Sequence, residues 1–125
     1  ITVKIDVEDV APFTCEEVSM NRVLYQVIEN ALEAIGKTET EGTLQIDAVE
    51  EEAALVIEIR DDGLGIPEDR LSHVFDPFYT TKAGDHRMGF GLHVTRDLVE
   101  RVLGGQIEVT SEENRGTTVR IRLPR

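Results

Sequence analysis

The run Ala54-Leu55-Val56-Ile57-Glu58-Ile59-Arg60 leads directly into Asp61-Asp62-Gly63-Leu64-Gly65-Ile66-Pro67. The first half is apolar and alternating, as a strand is. The second half breaks that strand with a carboxylate and two glycines spaced by one residue. Glycine takes backbone conformations that other residues resist, and it lets a ligand come close. A carboxylate in such a turn can accept a hydrogen bond from an exocyclic amine, and adenine carries one. Ordinary surface loops also contain turns of this kind. The weight here comes from the surroundings: an asparagine-bearing helix upstream and a second glycine turn downstream.

Outward from that turn, Thr43 to Glu50 and Ala54 to Arg60 read as a hairpin joined through Glu50-Glu51-Glu52. Ile1 to Val7 alternates as a strand. Ser19 is the expected N-cap of a helix that runs to about Ile35 and stops at Gly36. On it, Leu24, Val27, Ile28, Ala31, Leu32 and Ile35 share one face, with Gln26, Asn30 and Glu33 on the opposite side. A polar loop spans 37–42. A short helix is expected near Glu68 to Val74, followed by a charged loop from Asp76 to Met88. A second amphipathic helix carries Val94, Leu98, Val99, Val102 and Leu103 and ends at Gly104-Gly105. Gln106 to Thr110 and Thr117 to Leu123 close the chain as strands. The order β, α, ββ, α, ββ predicts a single α+β domain, a two-layer sandwich of helices on one face of a mostly antiparallel sheet.

The 125 residues suffice for one domain with a real core. Hydrophobic residues at 40 %, aromatics at 5 % and no Trp predict an aliphatic core. A net charge of −12 argues against nucleic acid and against direct contact with an anionic membrane. An anionic ligand would need a local basic cluster and backbone N–H groups. The single cysteine, Cys15, excludes an internal disulfide and fits a reducing compartment. No apolar run is long enough to span a bilayer. Because Ile1 is not an initiator Met, a piece of a longer chain is expected.

Three further segments carry chemistry. Asn30 offers a neutral amide oxygen, a hard ligand suited to Mg²⁺, which binds one or two protein oxygens along with substrate phosphates and water; alternatively, its helix face is simply solvated. Met88-Gly89-Phe90-Gly91-Leu92 stands where a helix begins, and free N–H groups there suit a phosphate; an ordinary glycine-rich turn would read the same way. Phe75-Asp76-Pro77-Phe78-Tyr79-Thr80-Thr81-Lys82 leads to His86 and Arg87, a concentration of positive charge that could close over a triphosphate or stay a solvated loop.

In order and spacing these segments resemble the catalytic and ATP-binding domain of bacterial sensor histidine kinases, in the superfamily that also holds gyrase, heat-shock chaperone and mismatch-repair ATPases. The resemblance covers nearly the whole chain. Asn30 matches the N box; Asp61, Gly63 and Gly65 the first glycine box; Phe75, Pro77 and Phe78 through Lys82 the F box; Gly89, Gly91 and Leu92 the second glycine box. Asn114-Arg115-Gly116-Thr117 resembles the Gly-Thr that closes the adenine pocket. The resemblance implies the Bergerat-type sandwich and a site for ATP and Mg²⁺. In that site Asp61 accepts the adenine amine with support from Thr117. Gly63, Gly65 and Ile66 pack near the base, and Phe78 belongs to the pocket. Asn30 ligates Mg²⁺, while Gly89, Gly91 and Leu92 offer amides to the phosphates. Lys82 and Arg87 come from the lid, and Asn30, Lys82 and Arg87 form the catalytic set.

The chain departs from that pattern in places. Arg87 replaces the first glycine of the second box. Glu33 stands where many kinases have a cation, so it either approaches the metal through water or is solvated. Gln26 stands where the ATPase branches place a general-base Glu, and an amide cannot take a proton; Glu29 is turned away by about 100°. None of His73, His86 and His93 sits in the acceptor pattern. The resemblance therefore implies transfer of the γ-phosphate to a histidine on a separate dimerisation/phosphoacceptor domain of the same kinase, with a response regulator downstream. It also implies a monomeric fragment and a cytoplasmic location, whether or not the parent is membrane-anchored. Competing readings are a serine kinase of the anti-sigma-factor type, the mitochondrial dehydrogenase kinases, and a degenerate nucleotide-binding scaffold.

Overall fold

The computed structural model describes residues 1–38, 41–76 and 91–125. In chain order the elements are β1 (Thr2–Val7), α1 (Glu17–Gly36), β2 (Thr43–Glu51), β3 (Ala54–Asp61), α2 (Glu68–Leu71), α3 (Leu92–Asp97) widening into a π turn over Leu98–Val102, β4 (Gln106–Glu112) and β5 (Gly116–Pro124). The strands form one sheet in the order β1-β2-β3-β5-β4. β1 pairs parallel to β2, and the other pairings are antiparallel. The expected α+β sandwich forms, with a sheet that is mixed because the first strand returns parallel across α1. None of the described helices is long and apolar enough to cross a membrane.

β2 and β3 meet with Glu51 opposite Ala54, leaving a two-residue turn of Glu52 (φ 49°) and Ala53 (φ 59°). Two positive φ values match the right-handed twist of a hairpin. The connection is thus tighter than the expected acidic run, and Glu50 and Glu51 belong to β2. One face of the sheet meets the helices through Leu44, Ile57, Ile59, Val119, Ile121 and Leu123, all buried. Val23, Val27, Ala31 and Ile35 of α1 and Val99 of the π turn complete the core. Each such Val, Leu or Ile side chain contributes roughly 1.5–3 kcal/mol by leaving water. The opposite face is largely polar around the buried Ala54 and Val56, with Arg60 paired to Asp47 at 3.0 Å and Arg120 to Glu51 at 3.5 Å.

Two expectations for α1 are corrected. Its cap is Glu16, whose carboxylate accepts from Val18 N at 3.1 Å and Ser19 N at 2.7 Å. Bonds from Ser19, the hydroxyl first and then the N–H, hold the Glu16 carboxyl below its ordinary range. Ser19 is buried inside the first turn, where it cannot cap. The buried stripe runs through Val23, Val27, Ala31 and Ile35, while Leu32 is exposed. The polar residues Asn30 and Glu33 border that stripe and do not form a separate solvent face. The short helix is also briefer than expected, giving way after Leu71 to tight turns. The strap before α1 is tied down by Arg125, which donates to Ala11 O at 2.7 Å and Pro12 O at 2.8 Å and lies 5.4 Å from the Phe13 ring centre.

Candidate functional site

β3 delivers Asp61 as its last residue, on the same face as Ile57 and Ile59 by strand alternation. The carboxylate therefore enters the layer between sheet and α1. Opposite it in register stands Thr117 of β5. Burial pushes the Asp61 carboxyl above its ordinary range. N–H groups of Gly63 (2.9 Å) and Thr117 pull it back, and neighbouring Asp62 adds to the rise.

The turn after Asp61 is fastened on both sides. A Cβ at Gly63 would lie 2.5 Å from the carbonyl carbon of Ala34, so only glycine lets the turn rest on the backbone of α1. There Leu64 N donates to Ala34 O at 3.1 Å. Gly65 has φ +73°, and a Cβ would lie 2.1 Å from Glu112 O. Leu64 O accepts from Asn114 N at 2.7 Å, and Ile66 N donates to Ser111 Oγ at 2.8 Å. Ser111 Oγ also donates to Gly116 O at 2.9 Å. With its one proton so used, Ser111 accepts from the Thr117 hydroxyl at 2.8 Å. That leaves Thr117 Oγ1 presenting lone pairs beside Asp61.

A cavity of about 170 Å³ opens in front of these groups. Its walls are aliphatic, from Val27, Ala31, Ile59, Val109 and Val119, with Asn30, Glu33, Asp61 and Thr117 as polar points. An apolar slot with a few fixed polar groups is the usual form of a small-molecule site. Gln26 Nε2 donates to Asn30 Oδ1 at 2.9 Å, so the residue that replaces a general base holds the carboxamide in place. At the start of α3, Gly91 lines the cavity, yet a Cβ there meets no described atom within 4 Å. Arg96 of α3 lies 4.9 Å from the Phe75 ring centre, tying the segment after α2 to α3.

Of the residues singled out from sequence, Asn30, Asp61, Gly65, Ile66, Gly91, Leu92 and Thr117 share this cavity. Gly63 stands behind it against α1. Phe78, Lys82, Arg87 and Gly89 lie outside the described residues. Ser111 and Lys37 were missed. Ser111 joins the site only through the β4–β5 register, which local pattern does not reveal, and Lys37 lines the cavity as the C-cap of α1.

Among the described residues no group of three or more His, Cys, Asp or Glu side chains could hold a metal ion. A dedicated metal cage is therefore not what these residues build. The donor set fits Mg²⁺ in its other mode, with a hard carboxamide oxygen in a cavity where phosphates and water complete the shell.

Residues 15–125 match the family described as histidine kinase-, DNA gyrase B- and HSP90-like ATPases, and the chain belongs to that family. It is 38 % identical over 105 residues to the sensor histidine kinase ZraS of Escherichia coli K12, covering 84 % of this chain and 21 % of that protein. It is 34 % identical over 120 residues to sporulation kinase E of Bacillus subtilis, covering 94 % of this chain and 15 % of that protein. The backbone superposes on the catalytic domain of histidine kinase ThkA with a TM-score of 0.82 at 26 % identity, covering 98 % of this chain and 79 % of that one. The chain thus spans about a fifth or less of these curated relatives' length.

Proposed function

We propose that this domain binds Mg-ATP in the α1/β3 cavity and presents the γ-phosphate to a histidine on a separate phosphoacceptor domain of its parent kinase, with a response regulator as the onward acceptor. The observation that carries this reading is the half-buried carboxylate of Asp61 in the wall of the aliphatic cavity. There the Gly63 and Thr117 N–H groups offset part of the desolvation cost, and a donor on a ligand would offset more. Asp61 accepts the adenine amine, and the lone pairs of Thr117 Oγ1 receive a bridging water. Val27, Ala31, Ile59 and Val119 hold the base. Gly91 and Leu92, with Gly89, give backbone N–H groups to the phosphates. Lys82 and Arg87 add positive charge from the intervening segment.

Asn30 would hold Mg²⁺ together with phosphate and water oxygens, and the ion would supply neutralisation of charge on the transferring group. Gln26 keeps the Asn30 carboxamide aimed and takes no proton itself, which favours transfer to a positioned acceptor over hydrolysis. Catalysis is then mainly positioning and charge stabilisation. The lone Cys15 and the acidic surface fit work in the cytoplasm.

Calorimetric titration with Mg²⁺ and a non-hydrolysable ATP analogue tests the site. Saturable binding by the wild type that is lost in Asp61→Ala is expected. Equal binding by both proteins would remove Asp61 from the site, and no binding by the wild type would overturn the nucleotide reading.

A further inference from the structure

β1 is an edge strand, and among the described residues nothing pairs with its outer side. Val3, Ile5 and Val7 stand in register with Leu44, Ile46 and Ala48, so they point to the core face of the sheet. They are nevertheless 52 %, 68 % and 62 % exposed. On α1, Val18, Tyr25 and Leu32 are also exposed and lie two turns apart in one stripe, on the flank turned from the cavity. Such an edge is a ready template for another strand.

We infer that β1 is an association edge for a second copy of this chain, joined antiparallel about a two-fold axis at Ile5. Three features fit this register, and the third distinguishes it from the neighbouring ones. The first is hydrogen bonding. Thr2 N donates to Gly42 O and Glu8 N to Ala48 O, so even-numbered residues turn their backbone groups toward β2. By alternation, Val3, Ile5 and Val7 turn theirs outward. A two-fold at Ile5 sets Ile5 against Ile5 and Val3 against Val7 of the other copy, all as hydrogen-bonded pairs. The second is the apolar face. In this register every cross-strand neighbour on the core side is aliphatic, and the exposed row becomes a shared one.

The third feature is charge. On the other face the register puts Lys4 opposite Asp6 of the second copy, twice over by symmetry. Moving the axis to Lys4 would set Lys4 against Lys4, and moving it to Asp6 would set Asp6 against Asp6. A slip by one residue would turn the apolar row to the wrong face. The area is small, so the contact is weak and transient. The chain on its own is then monomeric when dilute, as the family resemblance implies. Pairing becomes significant where two copies are tethered, because effective concentrations there reach the millimolar range.

Sedimentation and amide hydrogen exchange on the 125-residue chain test this directly. Between about 10 μM and 1 mM, the range of weak interfaces, mass should rise from 14.0 kDa toward twice that value. Protection of the Val3, Ile5 and Val7 amides should rise with it, while Thr2 and Glu8, already bonded to β2, stay unchanged. Lys4→Asp should weaken association about tenfold, and Lys4→Asp/Asp6→Lys should restore it. Both sites are exposed, and an unchanged melting temperature shows that the variants fold. A species that remains at 14.0 kDa throughout overturns the proposal. So does association that the charge swap fails to restore or that protects no odd-numbered amide.

Discussion

The two flanks of α1 break the rule of apolar inside and polar outside in opposite senses. On one flank a carboxylate, Asp61, is drawn into an aliphatic cavity beside Asn30 and Thr117. On the other, Val18, Tyr25 and Leu32 with Val3, Ile5 and Val7 stay in solvent. Between them Val23, Val27, Ala31 and Ile35 obey the rule and carry the stability. A half-buried charge and exposed apolar rows are the informative exceptions in a folded domain, because each carries a cost that a ligand or partner can offset.

That contrast can be broken most severely on the cavity side. Gly63→Ala places a methyl 2.5 Å from the backbone of Ala34. The turn must then leave α1 and give up the Leu64–Ala34 bond, so a loss of about 3 kcal/mol or more is expected in denaturant unfolding. A loss below about 0.5 kcal/mol would mean that the turn does not depend on resting against the helix.

A smaller effect, of opposite sign, is expected from Asp61→Asn without nucleotide. Burial raises the Asp61 carboxyl above its ordinary range. The proton is therefore held more tightly in the folded state, and stability is lost as pH rises through the folded value. Asparagine keeps the shape and one acceptor oxygen for the Gly63 and Thr117 N–H groups while removing the charge. Melting at pH 7 should rise, because the half-buried charge is removed. The gain should fade as the wild-type carboxyl protonates in acid. A variant less stable than wild type at pH 7 would contradict a desolvated carboxylate.

The exposed flank should respond least. Ile5→Thr keeps the β-branched form at an exposed position, so the stability of the dilute chain should change by less than about 0.5 kcal/mol. A larger loss would show that β1 packs against something on its open side.

The sequence made the same contrast half legible. Alternation located the strands, and the glycine turns located the cavity mouth, because strand period and glycine freedom are local properties. The choice of stripe on α1 was not local. Val23-Val27-Ala31-Ile35 and Leu24-Ile28-Leu32 are adjacent rows at helical spacing, and only packing on the sheet decides which is buried. The cap at Glu16 escaped because a long carboxylate reaching two N–H groups mimics what Ser and Asp usually do. Gln26 was legible as a missing base, but not as the donor that holds Asn30. Ser111 became visible only once β4 and β5 were in register.

Exchanging the base of the nucleotide tests the role of Asp61 most directly. Inosine triphosphate carries a carbonyl where ATP carries the amine, so a carboxylate that accepts from the amine must reject it. Affinities of wild type and Asp61→Asn for ATP and inosine triphosphate, with Mg²⁺, should be measured side by side. The wild type should prefer ATP by about ten- to a hundredfold, the range of one hydrogen bond to a charged group. Asp61→Asn should lose most of that preference, since its amide can donate to the carbonyl. Equal affinity of the wild type for the two nucleotides, or a preference that survives Asp61→Asn, would contradict the account.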